Sequence, residues 1–144
     1  MNPYNFYKQN QVQSAPREDI MLQLVQGALI RIKGARDKWS EGERIRAREL
    51  RVQAQDIINY LNETLDFENG EDLAFELDAL YNYMTREILE STRADDFERL
   101  QPVVEILETL YEGFKDAVEE YKKMRNDSAG QSVNNAYERV AVGG

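Results

Sequence analysis

Leu73-Ala74-Phe75-Glu76-Leu77-Asp78-Ala79-Leu80-Tyr81-Asn82-Tyr83-Met84-Thr85-Arg86-Glu87-Ile88-Leu89-Glu90-Ser91-Thr92 decides the fold. Leu73, Leu77, Leu80, Met84 and Ile88 recur at steps of three and four, which puts them on one stripe of a helix. Tyr81 widens that stripe, Tyr83 points elsewhere on the same turn, and Glu76, Arg86, Glu87 and Glu90 fall mostly off it. The stretch is an amphipathic helix with an aromatic-rich middle, and its stripe needs a surface to cover it. Core packing with the tyrosine hydroxyls at the rim is the favoured reading of the Tyr81-Asn82-Tyr83-Met84 run.

Upstream, Phe67-Glu68-Asn69-Gly70 is a break with Asn-Gly as its turn signal. Before it, a helix from about Glu43 to Leu65 carries Leu50, Ala54, Ile57, Leu61 and Leu65 on one face, with Ile58 beside them. Ser40-Glu41-Gly42 separates this from an earlier helix striped by Met21, Val25, Ala28, Ile32, Ala35 and Trp39. Pro16 suits the first position of that helix, Glu18 and Asp19 complement the dipole of its first turn, and basic residues close it. Gly27 and Gly34 lower its helix propensity, and small residues there permit close helix approach. Residues 1–16 show no periodicity and carry Tyr4, Phe6 and Tyr7, aromatics that an irregular arm needs to dock somewhere.

Downstream, Thr92-Arg93-Ala94-Asp95-Asp96 breaks the pattern, and either Asp can cap the next helix. That last helix carries Leu100, Val103, Val104, Leu107, Leu110, Tyr111, Phe114, Val118 and Tyr121. It either starts near Asp96 with a distortion at Pro102, which is the expectation, or begins near Gln101 after a short turn. Beyond Met124 the chain is rich in Asn, Asp, Ser, Gly and Gln and reads as a mobile tail, with Tyr137 and Val140 able to form a short contact. Four amphipathic helices with short breaks predict an all-α antiparallel four-helix bundle with an irregular N-terminal arm and a flexible C-terminal tail. The expected division is an arm over 1–15, a bundle over 16–124 and a tail over 125–144.

Composition narrows the function. The 144 residues suffice for one domain with a core. Eighteen basic and 27 acidic residues leave a net charge of −9, which argues against a phosphate-backbone binder. The absence of Cys and His removes thiolate chemistry, disulfides, the usual neutral-pH base and the commonest metal ligands. No carboxylate pair stands out as the two groups of a glycosidase cleft, and no phosphate-cradling or cation-binding loop is present. An enzyme, a cofactor and a metal are therefore not expected. The opening residues lack a basic n-region followed by an apolar run, and no apolar run nears the roughly 20 residues of a membrane span. A cytoplasmic protein without nucleic-acid partner or membrane insertion is expected. Charge is uneven: Arg31 to Arg51 holds eight basic and four acidic residues, and the remainder ten and 23. A solvated helix end is the favoured reading of the basic stretch, and a docking patch for an acidic partner the other.

Four segments, in order, then carry a resemblance. Pro3-Tyr4-Asn5-Phe6-Tyr7-Lys8-Gln9-Asn10 looks like the tyrosine-bearing N-terminal segment of the flagellar secretion chaperone FliS family. Ala15-Pro16-Arg17-Glu18 is similar to that family's first-helix start, and Gln53-Ala54-Gln55-Asp56-Ile57-Ile58-Asn59-Tyr60-Leu61 to its second-helix signature. Leu80-Tyr81-Asn82-Tyr83-Met84-Thr85-Arg86-Glu87-Ile88-Leu89 resembles its Leu-Tyr-Asp-Tyr-Met run. The chain departs from the pattern at Asn82, Ala15, Ser91-Thr92 and Phe114, where the family favours Asp, Ser or Thr, Ala-Asn and Trp. The resemblance implies an export chaperone that binds the disordered C-terminal segment of flagellin, blocks premature polymerisation and assists delivery to a component of the flagellar export gate. By position it implies Tyr4 and Tyr7 as anchors of the arm, and Ile57, Leu61, Leu65, Tyr81, Tyr83 and Met84 as groove lining. A non-catalytic bundle that self-associates through its aromatic stripe is the alternative.

Overall fold

The computed structural model describes residues 17–141, with side chains up to Asp127 apart from that of Glu18. The expectations for the arm and Pro16 lie outside the described residues, and the contact expected of Tyr137 and Val140 lies outside the described side chains. Among the described residues there are four α-helices and no strand: α1 (Arg17–Ser40), α2 (Arg44–Glu63), α3 (Glu71–Arg93) and α4 (Gln101–Ala141), with a 3-10 turn over Phe97–Leu100 before α4. Neighbours run antiparallel. Gly27 and Gly34 of α1 face Ile57 and Leu50 of α2, where added Cβ atoms would stand 3.5 and 3.2 Å from those side chains. Asn62 of α2 donates to Asp78 of α3 at 2.7 Å. Lys33 of α1 pairs with Glu108 of α4 at 3.3 Å. Of the neighbouring pairs, α3 and α4 pack least against each other.

Each break ends by a definable local device. At the end of α1, Gly42 takes φ +83°, the Gly42 amide donates to the Trp39 carbonyl, and the Glu43 amide donates to the Lys38 carbonyl. This is a Schellman motif, in which the left-handed residue that closes the helix is best a glycine. The end of α3 repeats it with Asp95 at φ +55°: Asp95 donates to Thr92 and Asp96 to Ser91. Asp96 then caps the 3-10 turn, its Oδ1 accepting from the Glu98 amide at 3.0 Å. So the two adjacent acids divide the work.

The core is built on Val25, Ile32, Ile58, Met84, Ile88, Leu100 and Leu107. Tyr81 does not flank the α3 stripe: it is fully buried at its centre, and Leu73 is 59% exposed. Counting Ala74 and Ser91, both buried, turns the inward face of α3 away from Leu73. The same correction applies to α2, where Ala47, Ala54, Ile58 and Leu61 are buried while Leu50 and Ile57 are only half-buried. Alanine contributes little to an apolar count yet fits best where helices approach closely.

Two boundaries differ from expectation. The α-helix proper begins at Gln101 after the short turn, so the distorted start near Asp96 is corrected. Pro102, in the first turn, lacks an amide that would have no intrahelical partner there, so no kink is needed. At the other end α4 continues to Ala141 instead of closing near Met124. From Glu119 to Asp127 every described side chain on it is exposed.

Candidate docking groove

A depression of about 570 Å³ lies between α3 and α4 at the end of the bundle where α1 begins. Arg17 and Met21 close it from α1, Leu65, Asp66, Asn69 and Gly70 from the α2–α3 loop, and Leu73, Ala74 and Leu77 from α3. The α4 wall is Thr109, Leu110, Gly113, Phe114 and Ala117. A second cleft of about 300 Å³ continues it along the same two helices through Leu80, Tyr83, Pro102, Glu105 and Ile106, sharing Thr109 and Leu110. The sparse contact between α3 and α4 is what leaves this channel open among the described residues.

The floor extends past the bundle. Ile106, Leu110, Gly113, Ala117, Tyr121 and Met124 succeed one another at steps of three and four, hence along one face of α4. Tyr121 is 42% and Met124 63% exposed, so this stripe emerges as an apolar ridge. A helix rises about 1.5 Å per residue, so Pro102 to Met124 spans about 33 Å. Exposed contiguous apolar surface of this kind marks an interaction site more often than chance placement.

The loop that forms the groove's end is rigidly made. Asp66 Oδ1 accepts from the Glu68 and Asn69 amides, both at 3.1 Å, and Asp66 Oδ2 accepts from Asn69 Nδ2 at 2.8 Å. These bonds, Asn69's side chain first, hold the Asp66 carboxyl below its ordinary pKa. Gly70 is needed for proximity: its φ is −79°, and a Cβ there would lie 2.4 Å from the Asp66 carbonyl oxygen. The Arg17 guanidinium donates to the Thr64 carbonyl and so ties the start of α1 to the same loop.

Of the residues singled out from sequence, Leu65 lines the groove and Tyr83 its continuation. Leu61, Tyr81 and Met84 have no exposure and lie in the interior, and Ile57 packs half-buried on the α1–α2 side. Tyr4 and Tyr7 lie outside the described residues. Sequence reasoning missed Arg17 and Asp66, and it placed Leu73, Leu110 and Phe114 with the core. The Tyr81 hydroxyl is buried without a hydrogen-bond partner among the described residues, and burial pushes its pKa up to about 12 against an opposing pull from Arg17.

Among the described residues no group of three or more His, Cys, Asp or Glu could hold a metal, and no helix is long and apolar enough to cross a membrane.

Comparison with known proteins agrees with this picture. The family model for flagellar protein FliS matches residues 1–121, ending three residues past Val118, the last buried side chain of α4 among those described. A flagellar secretion chaperone FliS of Bacillus subtilis is 30% identical over 129 residues, covering 90% of this chain and 96% of that protein. Its namesake in Vibrio cholerae is 28% identical over 115 residues, 80% of this chain and 85% of its own length. The FliSB chaperone of Pseudomonas aeruginosa is 34% identical over 105 residues, 72% and 82% of the two lengths. A family of non-catalytic chaperones accounts for an apolar groove in a helical bundle, and with the match spanning the bundle the chain belongs to the FliS family of flagellar secretion chaperones.

Proposed function

We propose that the protein is a cytoplasmic export chaperone that takes the disordered C-terminal segment of flagellin into the α3–α4 groove. The observation that carries this is the groove itself: an apolar channel, open along two helices, in a FliS-family bundle. An amphipathic helix laid along such a channel buries its apolar face at i, i+3, i+4 and i+7 anchors. Ordering a disordered segment costs several kcal/mol, about 2–5, so a long contact surface is needed. The channel and the ridge beyond it provide that length. While held, the segment is unavailable for filament assembly, and the complex is the form handed to the export gate.

Tyr4 and Tyr7 anchor the N-terminal arm in this reading, occupying the apolar surface until flagellin displaces them. Replacing both with Ala should leave thermal stability nearly unchanged while altering flagellin or export-gate binding. A large fall in melting temperature with normal binding would instead make the arm part of the fold.

The deciding experiment is calorimetric titration of the whole chain with the C-terminal segment of its cognate flagellin. One-to-one binding with a large negative heat-capacity change is expected, because apolar surface is buried. Leu73→Asp should weaken that binding by about tenfold or more, since it puts a charge on the channel wall. Absence of heat at several temperatures would sink the proposal.

A further inference from the structure

We propose that the groove selects among apolar segments by charge, favouring one whose anchors are flanked by lysine or arginine. This rests on the docking reading above. The channel is walled by apolar side chains but bordered by carboxylates. From Glu63 to Asp78 the chain has seven acidic residues and neither Lys nor Arg; from Glu105 to Glu120 it has six acidic residues and one base, Lys115. Both stretches border the groove, one from the α2–α3 loop and α3, the other from α4.

Some of these acids have internal partners. Asp78 accepts from Asn62, Asp66 from Asn69, and Glu108 pairs with Lys33. Asp72, Glu76, Glu112 and Asp116 have no ion-pair partner among the described residues, and all four are exposed. Asp72 directly precedes the lining residue Leu73, and the register of the other three puts them at the border. Glu76 stands three residues after Leu73 and four before Leu80, and Glu112 and Asp116 stand three and seven after Thr109. Arg17 is the one cation among the groove-lining residues, and its guanidinium is engaged by the Thr64 carbonyl.

The other end of the bundle shows what internally compensated charge looks like. There Lys38 has Glu41 and Glu43, Arg46 has Glu49, and Arg44 and Arg48 share Asp95. Asp72, Glu76, Glu112 and Asp116 lack such compensation among the described residues, so a partner bearing positive flanks gains attraction and one bearing negative flanks is repelled. Exposed pairs contribute little individually, but several of one sign within a Debye length of about 8–10 Å act together, chiefly on the association rate.

The test uses the full chain and the flagellin C-terminal segment, titrated at ionic strengths from about 50 to about 500 mM, a range that takes the Debye length well below the groove's width. Affinity should fall about tenfold across that range and about tenfold in Asp72→Lys/Glu76→Lys and in Glu112→Lys/Asp116→Lys at the lower salt. The neutralising pair Asp72→Asn/Glu76→Gln should show a smaller loss in the same direction, and circular dichroism checks that each variant is folded. Binding that ignores both salt and reversal would overturn the inference and leave docking intact. Binding by neither the wild type nor the variants at any salt would overturn the docking reading with it. Salt-sensitive dimers of the chain, with segment binding untouched by reversal, would assign the acidic border to the basic end of a second copy and also overturn it.

Discussion

The two ends of the bundle are built on opposite terms. Where α1 hands over to α2, the Trp39 ring stacks on Phe97 with centroids 4.3 Å apart and planes 9° from parallel, and the Arg44 guanidinium sits 4.2 Å from the Trp39 ring centre. Arg44 also reaches Asp95 at 2.9 Å, so α1, α2, the end of α3 and the turn into α4 meet in one joint. At the far end α3 and α4 meet across a channel that no described residue fills, closed by a loop and the first turn of α1. One end thus holds the helices at fixed spacing, and the other leaves the same helices free to accept an occupant. A bundle with both ends joined would have no place for a partner, and one with neither would have no defined groove.

The contrast can be broken by mutation, and the joint should give the largest effect. Phe97→Ala removes a fully buried ring from the stack and should cost about 3–5 kcal/mol in chemical denaturation. A loss under about 1 kcal/mol would show that the joint does not hold the bundle together. Next comes Tyr81, whose pKa of about 12 exceeds the ordinary value of 10.0. The neutral phenol is favoured in the folded state, so this contribution is complete below pH 10 and is lost as pH rises towards 12, about 2–3 kcal/mol in all. Tyr81→Phe should remove that alkaline instability and leave stability at neutral pH unchanged or slightly raised, because its hydroxyl has no hydrogen-bond partner to lose.

Smaller effects sharpen the comparison. Gly42→Ala forces a Cβ into the left-handed region at φ +83° and should cost about 1 kcal/mol. Leu73→Ala, at the open end, should change stability by less than about 0.5 kcal/mol and show itself only in calorimetric binding. If Leu73→Ala proved as destabilising as Gly42→Ala, the groove wall would be part of the core.

The helices were legible because each carries its own period and its own stops. The α1 and α3 boundaries follow from Gly42 and the Asp95-Asp96 pair, and local chemistry decides them. The rotation of α3 about its axis was not legible in the same way. Leu73 looks inward by hydrophobicity, and Ala74 looks neutral, yet the close approach of neighbouring helices favours burying the small residue. The groove was hidden for a further reason. Leu110 and Phe114 satisfy the same period whether they face the interior or a channel, and the separation of α3 from α4 is settled by the joint at the far end. Asp66 was missed because its role depends on backbone amides of Glu68 and Asn69, which no side-chain pattern announces.

Trp39 is the chain's single tryptophan, and its place in the stack makes it a built-in optical reporter with a narrow field of view. Its emission will track the melting of the joint. An occupant of the α3–α4 channel contacts the opposite end, so saturation of that channel should leave the spectrum where it was. A shift in Trp39 emission on adding flagellin segment would mean that the clamp itself had moved, and the two ends would then be mechanically coupled.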